Sequence, residues 1–167
     1  ARVLNGEHDE AIVDLTKSLR CVTEDAEALH WRAIARIRQR EHSRAVDDLT
    51  EAIRRAPGES RHYFCRCIAH CGQEDFDKAI ADATEAIRLE PGFDLAFDIR
   101  AFARGMVGDI EGGIADLTEA IRLSPEDIRR RIERADLLYA KGEYDRAMVD
   151  YDEAIRLDPT AGSHRRK

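Results

Sequence analysis

Positive charge is the first thing this 167-residue sequence is short of: 27 lysines and arginines face 34 aspartates and glutamates, for a formal net charge of -7 and an isoelectric point near 5.4. That balance does not supply the broad basic face that nucleic acid requires. The one basic cluster, His164-Arg165-Arg166-Lys167, is a short tail. No apolar run approaches the roughly 18 residues needed to cross a bilayer, so no membrane contact is expected. The opening Ala1-Arg2-Val3-Leu4-Asn5-Gly6 lacks the apolar core of a secretory signal, and it lacks an initiating Met, which leaves a targeting segment upstream open. Disulfide chemistry is also poorly represented. Of Cys21, Cys65, Cys67 and Cys71, three crowd into one helix length, which reads as reduced thiols in a cytoplasmic setting.

Catalytic signatures are missing as well. The chain contains no Gly-rich phosphate loop, no Gly-x-Ser-x-Gly turn and no His-Glu-x-x-His pair. Its histidines are scattered, and its carboxylates recur with a fixed period, which reads as solvated faces rather than acid/base dyads. We expect no enzyme and no cofactor. Aromatic residues are 6% of the chain and charged residues 37%, well above the roughly 25% charged usual in soluble domains. So charged a chain buries enough apolar surface only if its charges are confined to regular faces, as on amphipathic helices.

What is present is a repeat. The prolines are Pro57, Pro91, Pro125 and Pro159, each 34 residues after the last, with Thr23 one step before the first. Arg54, Arg88, Arg122 and Arg156 keep the same spacing three residues ahead of each proline. Small residues do so at Ala52, Ala86, Ala120 and Ala154, at Ala45, Ala79, Gly113 and Ala147, and at Ala33, Cys67, Ala101 and Ala135. Proline cannot continue a helix, so each one ends an apolar-periodic run and turns the chain into the next unit. The small columns fall where helices must approach closely. Gly6-Glu7, Gly108-Asp109 and Gly142-Glu143 mark a turn in mid-unit, and Glu51/Arg54, Glu85/Arg88, Glu119/Arg122 and Glu153/Arg156 stand at i, i+3 on a helix. These columns describe tandem helical hairpins: a partial repeat over 1–23, repeats over 24–57, 58–91, 92–125 and 126–159, and a basic tail over 160–167.

A 34-residue unit with small residues at these three columns and proline near its end resembles the tetratricopeptide repeat, most closely over Ala135–Pro159. The resemblance covers 1–159 and implies an all-α superhelical solenoid whose first helices line a concave groove for a peptide or protein segment. Some positions depart from the family pattern. Arg131 stands where Leu29, Tyr63 and Phe97 are large and apolar; Arg36, His70, Arg104 and Leu138 fill an often aromatic column; and Gly113 replaces a helix-favouring alanine. The last two units are expected to be looser for it.

Two sets of candidate residues follow. Every full unit pairs an arginine (Arg32, Arg66, Arg100, Arg134) with an aspartate (Asp48, Asp82, Asp116, Asp150; Asp14 in the partial unit), which predicts a ladder of Arg–Asp contacts that fixes register. By the resemblance, the concave face carries Glu27, His30, Ile34, Ile37 and Arg38 on the first helix and Arg61, Phe64, Ile68 and Cys71 on the second. It continues with Leu95, Asp98, Phe102 and Met106 on the third and Arg129, Ile132, Asp136 and Tyr139 on the fourth. This face mixes apolar anchors with charges of both signs and suits a segment of alternating character. The clamp by which chaperone-binding family members hold a terminal carboxylate is not expected, because Asp98 would repel it. Cys67 and Cys71, at i, i+4 beside His70, have soft-metal ligand chemistry. Cys67, however, fills an alanine column and reads as a small apolar filler, so no metal is expected.

Hairpins bury their apolar faces on one another. The last helix, with Met148, Tyr151 and Ile155, has no following hairpin in the sequence, so self-association through the ends or a longer parent chain is expected. The function read from these residues is a non-catalytic protein-interaction module. The alternative is a recruiting arm of an enzyme whose catalytic domain lies elsewhere. RNA binding by the related 35-residue hairpins fits neither the period nor the charge.

Overall fold

Alanines set the geometry of the chain. In the computed structural model, which describes residues 25–158, a large share of the fully buried side chains are alanines on helix faces, and helices in contact there can approach closely. Eight helices occupy the described residues: α1 (Ala26–Arg38), α2 (His42–Arg55), α3 (Ser60–Gly72), α4 (Phe76–Leu89), α5 (Asp94–Met106), α6 (Ile110–Leu123), α7 (Ile128–Lys141) and α8 (Tyr144–Leu157). The expected partial repeat 1–23, with Asp14 and Cys21, and Pro159 and the tail lie outside the described residues.

Helix starts and stops follow local chemistry. The side chain of Asp25 accepts from the Glu27 amide at 2.9 Å, Asp109 from Gly112 at 2.9 Å and Asp127 from Arg129 at 3.0 Å, which satisfies otherwise orphaned donors at the starts of α1, α6 and α7. α2, α4 and α6 each end two residues before Pro57, Pro91 and Pro125. Inside each hairpin the turn passes through one left-handed residue: Gly108 (φ 83°) between α5 and α6, and Gly142 (φ 88°) between α7 and α8. The same column holds Arg40 (φ 63°) and Glu74 (φ 61°) in the other two hairpins, where a side chain makes that conformation costly.

The chain forms two compact units, 1–91 and 92–167. In the first, Ala33, Ala45, Leu49, Cys65 and Ala69 form a core backed by Ile34, Ile37, Val46 and Phe64. In the second, Ile114, Ala135, Leu138 and Ala147 do so, backed by Ile110, Leu137 and Tyr151. The two cores solve one packing problem differently. Where the first unit sets Ala45 of α2 in the same core as Ala69 of α3, the second sets Gly113 of α6 against Leu137 of α7: a Cβ at Gly113 would lie 2.9 Å from Leu137 Cδ1. The glycine that reads as a loosened site in the sequence is therefore filled by its neighbour's larger side chain.

The i, i+3 pairs are formed, with Arg54, Arg88, Arg122 and Arg156 bonded to Glu51, Glu85, Glu119 and Glu153 at 2.6–2.8 Å. All are solvent-facing, so each contributes little to stability.

Candidate functional site

The aspartate column lies at the centre of every hairpin. Arg32 meets Asp48 through Nε at 2.8 Å, Arg66 meets Asp82 at 2.8 and 2.7 Å, Arg100 meets Asp116 at 2.9 and 2.7 Å, and Arg134 meets Asp150 at 2.7 Å through both nitrogens. Each pair joins the first helix of a hairpin to its own second helix, and each carboxylate is buried. A bidentate fork of this kind fixes one geometry, and therefore register, more than it adds net stability.

A second cation joins some of these aspartates, from a column that in sequence looks only like a departure from the family. Arg36 reaches Asp48 at 2.6 Å and the Arg44 carbonyl at 3.1 Å; Arg104 repeats both contacts, to Asp116 at 2.8 Å and the Gly112 carbonyl at 3.2 Å. His70 in that column stands 3.8 Å from Asp82, with burial holding its imidazole below the usual range against the pull of the carboxylate. Leu138 in the last hairpin contributes no charge.

The first-helix face is less uniform than the sequence implies. In the first unit Ile34, Phe64 and Ile68 are half-buried, and Ile34 and Phe64 pack on the core, while Arg38 and Arg61 are exposed. Arg61 bonds Glu27 across α1 and α3 at 2.6 Å. His30, expected among the surface residues, is buried instead: its ring lies tilted against that of His62 at 5.1 Å and edge-on to Trp31 at 5.6 Å. Burial, then the neighbouring His62 and Arg61, push its imidazole down to about 4.

In the second unit the same two columns hold Asp98 and Arg130. Arg130, on α7, is only 2% exposed. Its guanidinium donates to Asp98 at 3.1 Å, to the Ala120 carbonyl at 2.9 Å and to Asp94 at 2.8 Å, so α7 is tied to both α5 and α6. Asp98 is further held by Arg129 at 2.9 Å. It is thus a partner of two arginines rather than a free charge on the face. Asp136 accepts from the Tyr151 hydroxyl and Ile132 is half-buried. Beside the exposed Arg129 and Asp136, α5 and α7 leave open an apolar series: Leu95, Phe102 at 52% exposed, Met106 at 56% and Tyr139.

Arg130 could not be recognised beforehand, since its column otherwise holds Ala28, His62 and Ala96 and nothing local marks a charge there as interior. Cys65, Cys67 and Cys71 are free thiols. Burial pushes the Cys65 thiol up to about 12, and a hydrogen bond between Cys67 and Cys71, with burial, holds Cys67 protonated while easing ionisation of Cys71.

Stacked hairpins of 34 residues, closed by an internal Arg–Asp fork, define a helical-repeat protein. A tetratricopeptide repeat model matches residues 131–161, and no curated protein matches the chain. Among solved structures, MamA is 18% identical with a TM-score of 0.90 over 97% of this chain and 95% of its own. The tetratricopeptide protein TTC0263 of Thermus thermophilus is 20% identical, with a TM-score of 0.73 over 96% and 88%. YrrB, described as a tetratricopeptide protein with an unusual peptide-binding site, is 14% identical, with a TM-score of 0.81 over 96% and 82%. At such identities the likeness is one of fold. With the repeat match over 131–161, it shows an all-α helical-repeat array similar in fold to these tetratricopeptide-repeat proteins.

Proposed function

We propose that this chain is a non-catalytic protein-interaction scaffold, and that the first-helix face of its second unit takes a peptide or protein segment. The observation that carries this reading is the exposed series Leu95, Phe102 and Met106 on α5, with Tyr139 on α7. Large apolar side chains left open in a row, on a face whose charges are bonded to one another, mark a surface whose desolvation favours a partner. Asp98 with Arg129 and Asp136 with Tyr151 are already paired, so the partner's contribution at this face is chiefly apolar, with anchors at helical or alternate spacing. The fold shared with YrrB supports the reading. So does the acidic balance of the chain, which stands against nucleic acid. Among the described residues no helix is long and apolar enough to cross a membrane.

The test is affinity capture from cell extract with the full chain, alongside Phe102→Ala and Met106→Ala variants. Loss of the same captured protein in both variants, with helicity unchanged, supports the reading. Capture that is indifferent to both substitutions overturns it.

A further inference from the structure

Helix α8 repeats, at 34-residue spacing, the face that α6 buries under α7. On α6 the apolar part of that face is Ile110, Ile114 and Ile121, the last two buried. On α8 the same columns are Tyr144, Met148 and Ile155, which are 56%, 61% and 49% exposed. The polar part of the face is equally regular. Arg134 of α7 donates to Thr118 of α6 at 3.0 Å, and Lys141 bonds Glu111 at 2.5 Å. In the first unit Arg66 of α3 reaches Thr50 of α2 at 3.1 Å, and Gln73 reaches Ser43 at 2.9 Å. A covering helix is therefore received in the same way twice, by two polar side chains that meet donors seven residues apart on it.

On α8 these two receiving columns are Asp152 and Asp145, both exposed. The cations of α8 itself are engaged elsewhere, Arg146 by Glu143 and Arg156 by Glu153. The face thus offers an apolar centre between two carboxylates. From this we propose that the outer face of α8 docks a helix of a partner protein that carries arginine or lysine two turns apart (i, i+7) with apolar residues between them, seated as α7 is seated on α6. Charge decides the occupant. A basic helix meets both carboxylates, whereas a second copy of α8 would set Asp145 and Asp152 against like charge. This surface adjoins the one proposed for α5 and α7 at Tyr139, whose ring meets that of Tyr144 at 5.1 Å, but it shares none of Leu95, Phe102 and Met106 with it.

The probe is a labelled peptide with the α7 sequence Ile128–Lys141, held helical by a staple on its far side and titrated into the full chain by fluorescence anisotropy. Saturable binding is expected, weakened about tenfold or more by Asp152→Lys or Met148→Lys, unchanged by Phe102→Ala, and recovered for Asp152→Lys when the peptide carries Arg134→Glu. All these positions are exposed, and circular dichroism checks that the fold is kept. Three results would each overturn the proposal: no saturable binding; binding lost in Phe102→Ala but not in Asp152→Lys; or a dimer in sedimentation that Met148→Lys dissociates, which would make the occupant a second copy.

Discussion

Removing one aspartate should cost more at Asp116 than at Asp150, and the difference can be worked from their partners. Asp116 accepts from Arg100 at 2.9 and 2.7 Å and from Arg104 at 2.8 Å, whereas among the described residues Asp150 accepts from Arg134 alone. Both carboxylates are buried, and the arginines around them are largely so. Breaking a buried pair by deleting one member costs about 3–5 kcal/mol, because the remaining charge is left without compensation. Asp150→Ala should fall in that range. Asp116→Ala leaves the guanidiniums of Arg100 and Arg104 to repel each other with no carboxylate between them, though Arg104 keeps Asp109 at 3.5 Å and the Gly112 carbonyl, and it loses one further charge-assisted hydrogen bond worth about 1.5–3 kcal/mol. It should be the more damaging by roughly that amount. Adding Arg104→Leu, which installs the residue found at Leu138 in the last hairpin, should recover part of the loss. Urea unfolding followed by circular dichroism gives the totals, and amide exchange resolves them by hairpin, since a repeat array can open in parts. Equal losses at the two positions, or no recovery on adding Arg104→Leu, would refute the reasoning.

Glu74→Gly and Arg40→Gly should each stabilise the chain by about 0.5–1 kcal/mol, because a left-handed side-chain residue costs about 1–2 kcal/mol and glycine returns part of that as unfolded-state entropy. A lowered urea midpoint in both would contradict the turn assignment. Gly113→Ala alone should be neutral or harmful because of Leu137, yet in a Leu137→Ala background the same change should gain about 1 kcal/mol of helix propensity. Additive effects in that double-mutant cycle would show that the two residues do not share one space. For His30 the folded pKa, lowered to about 4, lies below the ordinary value of 6.5, so the unfolded chain binds the extra proton. Its contribution is complete above about 6.5 and is lost as the pH falls towards 4; His30→Gln should flatten the urea midpoint over that window, and an unchanged slope would tell against the buried imidazole.

The sequence discloses the repeat because its strongest signals are backbone signals. Proline ends helices whatever surrounds it, Gly108 and Gly142 carry the left-handed turn, and the alanine columns mark close approach. The equivalent turns at Arg40 and Glu74 are invisible to that logic, since neither residue prefers the conformation that its place in the hairpin imposes. The candidate face is harder to read for a different reason. Whether Ile68 or Phe102 is covered depends on residues a helix away, and a charge such as Asp98 counts as free or spent only once Arg129 and Arg130 have been placed. Arg36 and Arg104 stand in a column where the family often has aromatics, and only their shared distance to the aspartates reveals a function for them.

One pair of columns carries this point furthest. Where two hairpins meet within the first unit they bring His30 to His62; within the second they bring Asp98 to Arg130. Both solutions fill the same space between helices on the same backbone grid, so the repeat period is indifferent to which is used. Their chemistry is not. The imidazoles are favourable only while uncharged, because burial and Arg61 oppose protonation. The ionic junction depends instead on charge: Ser124 and Arg130 hold Asp94 below the usual carboxylate range, so its stabilising effect is complete above that range and is lost as the pH falls through and below it. Mild acid therefore acts on the first junction while leaving the second intact, although the two are built on one repeated frame.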